Sequence, residues 1–147
     1  MPIEICRFKN LTQKNQRWAR RTLWSRQNSP HTNMCDYGLK TLFLTLDGRP
    51  IAKINYTHYK GRYEEEMHFV NRIIAAPQPK FVKATGRTPA EELLIRFILQ
   101  ERPKKVVTEM EAPLARVFRL RFQKKYGLRL SSIKESDFKK LKPLNNI

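Results

Sequence analysis

Hydrophobic and polar positions along the N-terminal third of the chain predict a strand followed by a helix. Alternation over residues 3–8 is typical of a short strand, and residues 12–27 carry an apolar wedge that repeats at about 100° per residue. Asn10 or Thr12 suits the N-cap of this helix, and Ser29-Pro30 ends it. The wedge consists of Leu11, Trp18, Ala19, Thr22 and Leu23.

The middle of the chain has the pattern of an antiparallel meander. Residues 39–48 and 49–61 predict two strands joined at Asp47-Gly48, a dipeptide typical of tight hairpin turns. Residues 67–77 predict a further strand that Pro77 and Pro79 end, and a loop is expected to follow it. Residues 104–110 predict a short strand, and residues 128–141 could supply one more strand and a terminal turn.

Two more helices complete the predicted order. Thr88-Pro89-Ala90-Glu91 is a capping box with proline at the first helical position, so a helix over about 89–100 begins there. A second helix over 112–127 has Pro113 in its first turn and Gly127 just past its end. The order β-α-β-β-β-α-β-α-β predicts one domain over residues 1–147. Its class is α/β (α+β), with a mixed, mainly antiparallel sheet and helices on both faces.

Charge is the unusual feature of the composition. Thirty Lys and Arg residues against thirteen Asp and Glu give a net charge of +17, which favours a polyanionic partner such as nucleic acid or a phosphorylated cofactor. No apolar run reaches the length of about 20 residues that spans a membrane, and no signal peptide is evident. Two cysteines and three histidines without ligand spacing predict free thiols, no metal site and a cytoplasmic location.

Residues 83–88 have the features of an anion site. The capping box predicts two or three free amide N–H groups at the start of the helix, backed by the positive end of its dipole. Gly86 lets another group approach the backbone, and Lys83 and Arg87 add positive charge. An ordinary capped helix with solvated basic residues is the competing interpretation.

The spacing Lys83-x-x-Gly86-x-Thr88 resembles the pyrophosphate loop of the GNAT superfamily of N-acetyltransferases, (Gln/Arg)-x-x-Gly-x-(Gly/Ala). The order of elements resembles that family over nearly the whole chain, and the stretch FQKKYGL is similar to its closing Y-x-K-x-G-F motif. The resemblance implies acetyl-coenzyme A held between splayed fourth and fifth strands. Its pyrophosphate would lie on Lys83, Gly86, Arg87 and Thr88. The tyrosine that the family often uses as general acid falls at Gln123, which leaves Tyr126 as the nearest candidate.

An amine acceptor must lose a proton before it attacks a thioester, and a carboxylate near the strand ends could accept that proton. Glu109 is the first candidate base and Glu111 the second, because they bracket the predicted end of the fifth strand. His68 and the acidic run of residues 64–66 are alternatives, although a packed strand histidine and a solvated hairpin rim are the preferred interpretations of these residues. Tyr126 is the candidate acid.

Basic residues lie on the first and last predicted helices without any acidic residue among them. Trp24 falls among arginines on the first helix, and an indole among guanidinium groups suits stacking on a nucleobase while the charges bind phosphates. Burial of Trp24 under the following loop is the alternative. The candidate nucleic-acid-binding residues are Arg17, Arg20, Arg21, Trp24, Arg119 and Lys124.

Three hypotheses follow for the function. The first is a GNAT-like acyltransferase that uses acetyl-coenzyme A, with a nucleic-acid or nucleic-acid-associated substrate. The second is a transferase of the same fold that modifies DNA or RNA, similar to the phage Mom-type proteins. The third is a basic DNA- or RNA-binding protein without catalysis. The loop at residues 83–88 favours the first two, and the charge favours the last two.

Overall fold

The computed structural model describes residues 1–23, 40–60, 66–108 and 113–147, with the backbone alone for residues 113–115. Within these ranges the strands are β1 (Ile3–Cys6), β2 (Lys40–Leu46), β3 (Arg49–Tyr59), β4 (Met67–Ala75) and β5 (Val106–Thr108). The helices are α1 (Gln13–Thr22), α2 (Pro79–Thr85), α3 (Pro89–Glu101) and α4 (Pro113–Tyr126). Two short 3-10 helices cover Phe8–Asn10 and Glu135–Lys140.

The sheet follows the order of the chain, β1-β2-β3-β4-β5. The first three pairings are antiparallel and the pairing of β4 with β5 is parallel. The predicted hairpin is confirmed, since Asp47 and Gly48 join β2 to β3 with φ values of 52° and 81°. Two consecutive positive φ values are the requirement of a type I′ turn, which explains the Asp-Gly pair. The mixed, mainly antiparallel sheet is therefore confirmed.

Helices cover both faces of the sheet, as expected. On one face Leu42 and Leu44 belong to the main core together with the buried side of α3. Phe43 points to the other face, where it packs with Ala19 and Leu23 of the α1 region. This alternation along β2 is the two-residue period of a strand buried on both sides. None of the helices in the described ranges has the length and apolar character needed to cross a membrane.

Two predictions about local structure are wrong. Residues 79–85 form helix α2 instead of a loop, because Pro79 suits the first helical position, Phe81 is fully buried and Gly86 ends the helix in the left-handed conformation. Residues 128–141 add no strand among the described residues. They contribute single hydrogen bonds beside β5 and then the second 3-10 helix, which Phe138 anchors in the core.

A buried carboxylate ties the C-terminal segment to α3. Glu92 is fully buried and accepts hydrogen bonds from Arg87 (2.6 Å), Arg96 (3.4 Å) and the Leu144 amide (3.1 Å). Arg96 also donates to the carbonyls of Ile3 and Leu144. The C-terminal segment thus joins β1 to the start of α3, and it holds the side chain of Arg87 in place.

Candidate functional site

The edge of β4 that faces β5 is only partly paired. His68, Phe69 and Val70 pair with Val106, Val107 and Thr108. Beyond Val70, β4 continues through residues 71–75, and in the described part of the chain no strand pairs with this edge. Backbone groups on this side of the strand can therefore bond to a ligand that lies beside it.

A β-bulge marks the point where β4 and β5 part. Asn55 pairs with Arg72 and Tyr56 pairs with Val70, so Asn71 is the extra residue in β4. The Oδ1 atom of Asn71 is buried and lacks a hydrogen-bond partner among the described residues. Bulges commonly redirect side chains beside functional sites. Sequence reasoning missed Asn71. The signal was available, because Val70 and Ile73 contact the same core although their spacing of three breaks strand alternation.

Helix α3 has its C-terminal end beside the start of β4. At its C-terminal end, Glu101 lies 3.8 Å from the Nε2 atom of His68 at the start of β4. The N-terminal end of α3 therefore lies toward Ala75, where β4 ends. Residues 86–88 precede α3 and therefore also lie away from the paired end of β4 at His68.

The predicted helix start at Thr88 is confirmed. The Thr88 side chain accepts from the Glu91 amide at 3.1 Å, and the Glu91 carboxylate accepts from the Thr88 amide at 3.5 Å. Gly86 has a φ of 71°, and a Cβ atom added there would meet nothing within 4 Å. The glycine thus serves the left-handed C-cap of α2, and the space in front of it is open.

The expectation of two or three free amides at this end is wrong. Pro89 has no N–H, the Arg87 amide bonds to the Thr85 hydroxyl, and the Gly86 amide bonds to the Val82 carbonyl. Together with the two capping-box bonds, these contacts leave Ala90 as the first-turn amide without an intrahelical or capping partner. The capping box itself satisfies the donors that it was expected to expose.

Of the predicted cofactor-binding side chains, Lys83 is exposed in the last turn of α2, and Gly86 and Thr88 are exposed in the loop. Arg87 is placed differently, since its guanidinium group donates to buried Glu92 and to the Lys142 carbonyl at 2.7 Å. The side chain of Arg87 therefore supports the loop from within the protein. A further cation reaches the loop from α4.

That cation is Lys125. Its Nζ atom donates to the Gly86 carbonyl at 2.7 Å and to the Glu91 carboxylate at 2.8 Å. The hydroxyl of Tyr126 donates to the same carboxylate oxygen at 3.0 Å. Burial and the Glu91 carboxylate raise the pKa of Tyr126 above its usual value. The hydroxyl of Tyr126, the candidate acid, therefore lies at the loop and stays protonated while it donates to Glu91.

Several predicted site residues lie outside the described ranges. They are the candidate bases Glu109 and Glu111, the stacking residue Trp24, and Glu64 and Glu65 of the acidic run. Glu66 is described, and its carboxylate lies 2.8 Å from the Nε2 atom of His58, which lowers the pKa of Glu66.

His68, the alternative base, is packed in the core at the closed end of the β4–β5 pair. Its ring stacks on His58 at 4.1 Å and meets the edge of Phe97 at 5.7 Å. Burial and the neighbouring His58 lower the pKa of His68. Its position beneath α3 is that of a packed strand histidine.

The predicted basic surface on α1 is exposed. Arg17, Arg20 and Arg21 are all exposed, and the helix contains no acidic residue. On α4, Lys124 is exposed whereas Arg119 is half-buried, with its Nε atom lacking a hydrogen-bond partner among the described residues. The predicted nucleic-acid-binding residues therefore lie on two helices, α1 and α4, and none of them takes part in the contacts of Lys125 at the loop.

Comparison with known proteins supports the fold. The sequence matches no protein-family model and no curated protein. The structure is similar to the aminoglycoside N-acetyltransferase AAC(6')-Iy in complex with CoA, with a TM-score of 0.53, 15% identity and 90% of each chain covered. It is also similar to a chain of the NatC complex bound to Gag peptide and CoA, with a TM-score of 0.54, 14% identity and 82% of each chain covered.

A third similar structure is the aminoglycoside 6'-N-acetyltransferase AAC(6')-Ih from Acinetobacter baumannii. Its TM-score is 0.54 at 12% identity, with 90% of this chain and 97% of that chain covered. The fold of the chain is therefore that of the GNAT acetyltransferases, as the resemblance in the sequence implied.

Proposed function

We propose that the protein is a GNAT-like acyltransferase that uses acetyl-coenzyme A. The observation that carries the proposal is the edge of β4 beyond Val70, beside which no described strand lies, together with the capped start of α3. An extended pantetheine arm has amide donors and acceptors that suit an unpaired strand edge. A pyrophosphate suits a helix start with cations beside it.

Asn71 and the loop of residues 86–88 would bind different parts of the cofactor. A bulged residue leaves the regular ladder, so the backbone of Asn71 and its buried Oδ1 atom can bond to the ligand near the thioester. Gly86 and Thr88 would lie against the pyrophosphate, with Lys83 and Lys125 supplying positive charge. Glu109 and Glu111 remain the proposed bases for proton transfer from the amine. Tyr126, predicted as the acid, bonds to Glu91 and would lie beside the pyrophosphate, away from the thiolate.

The test is thermal stabilisation by acetyl-coenzyme A. A ligand that binds only the native state stabilises it by RT ln(1 + [L]/Kd), about 2.7 kcal/mol at a hundredfold excess over Kd. Gly86→Gln should abolish the stabilisation, because its side chain enters the open space in front of the loop. Gly48→Gln is the matched control, since Gly48 also has a positive φ and open space but lies at the β2–β3 turn. Equal responses of both variants, or no response of the wild type at millimolar ligand, would refute the proposal.

A nucleic acid, or a molecule bound to one, is the proposed acceptor. The supporting observations are the net charge of +17 and the exposed, acid-free surface that Arg17, Arg20 and Arg21 form on α1. This surface would serve equally in two alternative functions. One is a DNA- or RNA-modifying transferase of the phage Mom type, and the other is a non-catalytic DNA- or RNA-binding protein. Acetyl transfer to the bound nucleic acid distinguishes the enzyme from the binding protein.

A further inference from the structure

The carboxylate of Glu91 gathers donors from two helices at the start of α3. Its Oε2 atom accepts from Lys125 Nζ at 2.8 Å and from the Tyr126 hydroxyl at 3.0 Å. Its Oε1 atom lies 3.5 Å from the Thr88 amide, which is the outer limit of a hydrogen bond. Three donors therefore converge on this carboxylate: an ammonium group, a phenol and a helix-start amide. The same groups can donate hydrogen bonds to a phosphate oxygen.

We infer that Glu91 is an internal competitor for the pyrophosphate of coenzyme A and sets the affinity of this site. The inference rests on the proposed function, because it concerns the same loop. While Glu91 holds these donors, it places a negative charge where the diphosphate would lie. Rotation of the Glu91 side chain releases Lys125, Tyr126 and the Thr88 amide together.

The Glu91 side chain is 17% exposed whereas that of Glu92 is fully buried, so exchange is easier at Glu91 than at Glu92. Lys125 keeps 44% of its side chain exposed, so its ammonium group can turn to a ligand without crossing the core. The nearby Glu92 pair differs, because its carboxylate is fully buried and bonded to two arginines and a backbone amide. Of the two adjacent carboxylates, Glu92 holds the Arg87 side chain in place, and Glu91 competes with the pyrophosphate for the donors at the loop.

The variant Glu91→Gln tests the inference with little risk to the fold. Glutamine also satisfies the capping-box pattern, so the start of α3 is retained while the charge is removed. Loss of a repulsive charge beside a partly exposed diphosphate should tighten coenzyme A binding by about three- to tenfold. Pantetheine lacks the pyrophosphate, so its affinity should not change.

Glu135→Gln is the matched control for net charge. Glu135 pairs with Arg102 at the far end of α3, and Arg102 lies about 17 Å from Glu91 by the rise of the helix. Titration calorimetry should show tighter coenzyme A binding for Glu91→Gln alone, and Lys125→Met added to it should remove the gain.

Unchanged or weaker binding of coenzyme A by Glu91→Gln, with the wild type binding it, would overturn this inference alone. An equal gain in Glu135→Gln would also overturn it, because the effect would then come from net charge. If neither the wild type nor Glu91→Gln binds coenzyme A, the proposed function falls and the inference falls with it.

Discussion

The buried carboxylate of Glu92 should contribute far more to stability than an exposed carboxylate with similar geometry. Glu92 and Glu135 each accept a short bond from an arginine, at 2.6 Å and 2.5 Å. Their surroundings differ, since the Glu92 side chain is 0% exposed and that of Glu135 is 83% exposed. The pair of variants Glu92→Gln and Glu135→Gln therefore isolates the effect of burial.

The expected cost of Glu92→Gln follows from the groups that it leaves behind. Arg87 and Arg96 are 16% and 17% exposed, so both lose an ionised partner with little access to water. Breaking a buried ion pair costs about 3–5 kcal/mol, and the low end applies because the amide oxygen still accepts a hydrogen bond. At roughly 2–4 °C per kcal/mol for a domain of this size, Tm should fall by about 6–12 °C.

Urea denaturation at neutral pH measures both variants. Glu135→Gln should cost less than about 1 kcal/mol, as expected of an exposed ion pair. Similar costs for the two variants, or a cost below 1 kcal/mol for Glu92→Gln with an unchanged m value, would show that the Glu92 network does not fasten the C-terminal segment to α3.

Three further predictions address protonation, proton transfer and nucleic-acid binding. Because burial lowers the pKa of His68, the unfolded chain takes up the proton more readily, so stability should fall as the pH drops below about 6.5. His68→Phe should flatten Tm against pH between about pH 6.5 and 5, and an unchanged slope would contradict the reasoning. If the protein is an active transferase, Glu109→Gln should lower turnover by about 10²–10⁴ without changing cofactor affinity; intact activity in this variant would exclude Glu109 as the base. Charge reversal at Arg17 and Arg21 should reduce the log–log salt dependence of duplex DNA binding by about 0.9 for each lost phosphate contact, and an unchanged slope would place the nucleic acid elsewhere.

The features that the sequence predicted correctly depend on neighbouring residues. The hairpin at Asp47-Gly48 and the helix start at Thr88 are set by backbone conformation and hydrogen bonds within four residues. The parallel strand pair could also be predicted, because a helix separates β4 from β5 in the chain. Local chemistry and the order of elements were sufficient for the fold.

The features that the sequence did not predict depend on distant contacts. Helix α2 was missed because Pro77 and Pro79 resembled a strand end, whereas burial of Phe81 stabilises the helix. The partners of Arg87 were missed because one of them, the Lys142 carbonyl, lies 55 residues away. The convergence of Lys125 on Glu91 likewise joins α4 to α3. The sequence therefore indicated that basic side chains lie at the loop, but it did not show which acceptors they bond to.

We propose that coenzyme A lies along the edge of β4 beyond Val70, with its pyrophosphate at the start of α3. Amide chemical shifts of the ¹⁵N-labelled protein during titration with coenzyme A test this claim most directly. We expect the largest changes in amide chemical shift at residues 71–75 and 86–91, with smaller changes on α1. Changes confined to α1, or no changes at millimolar coenzyme A, would contradict it.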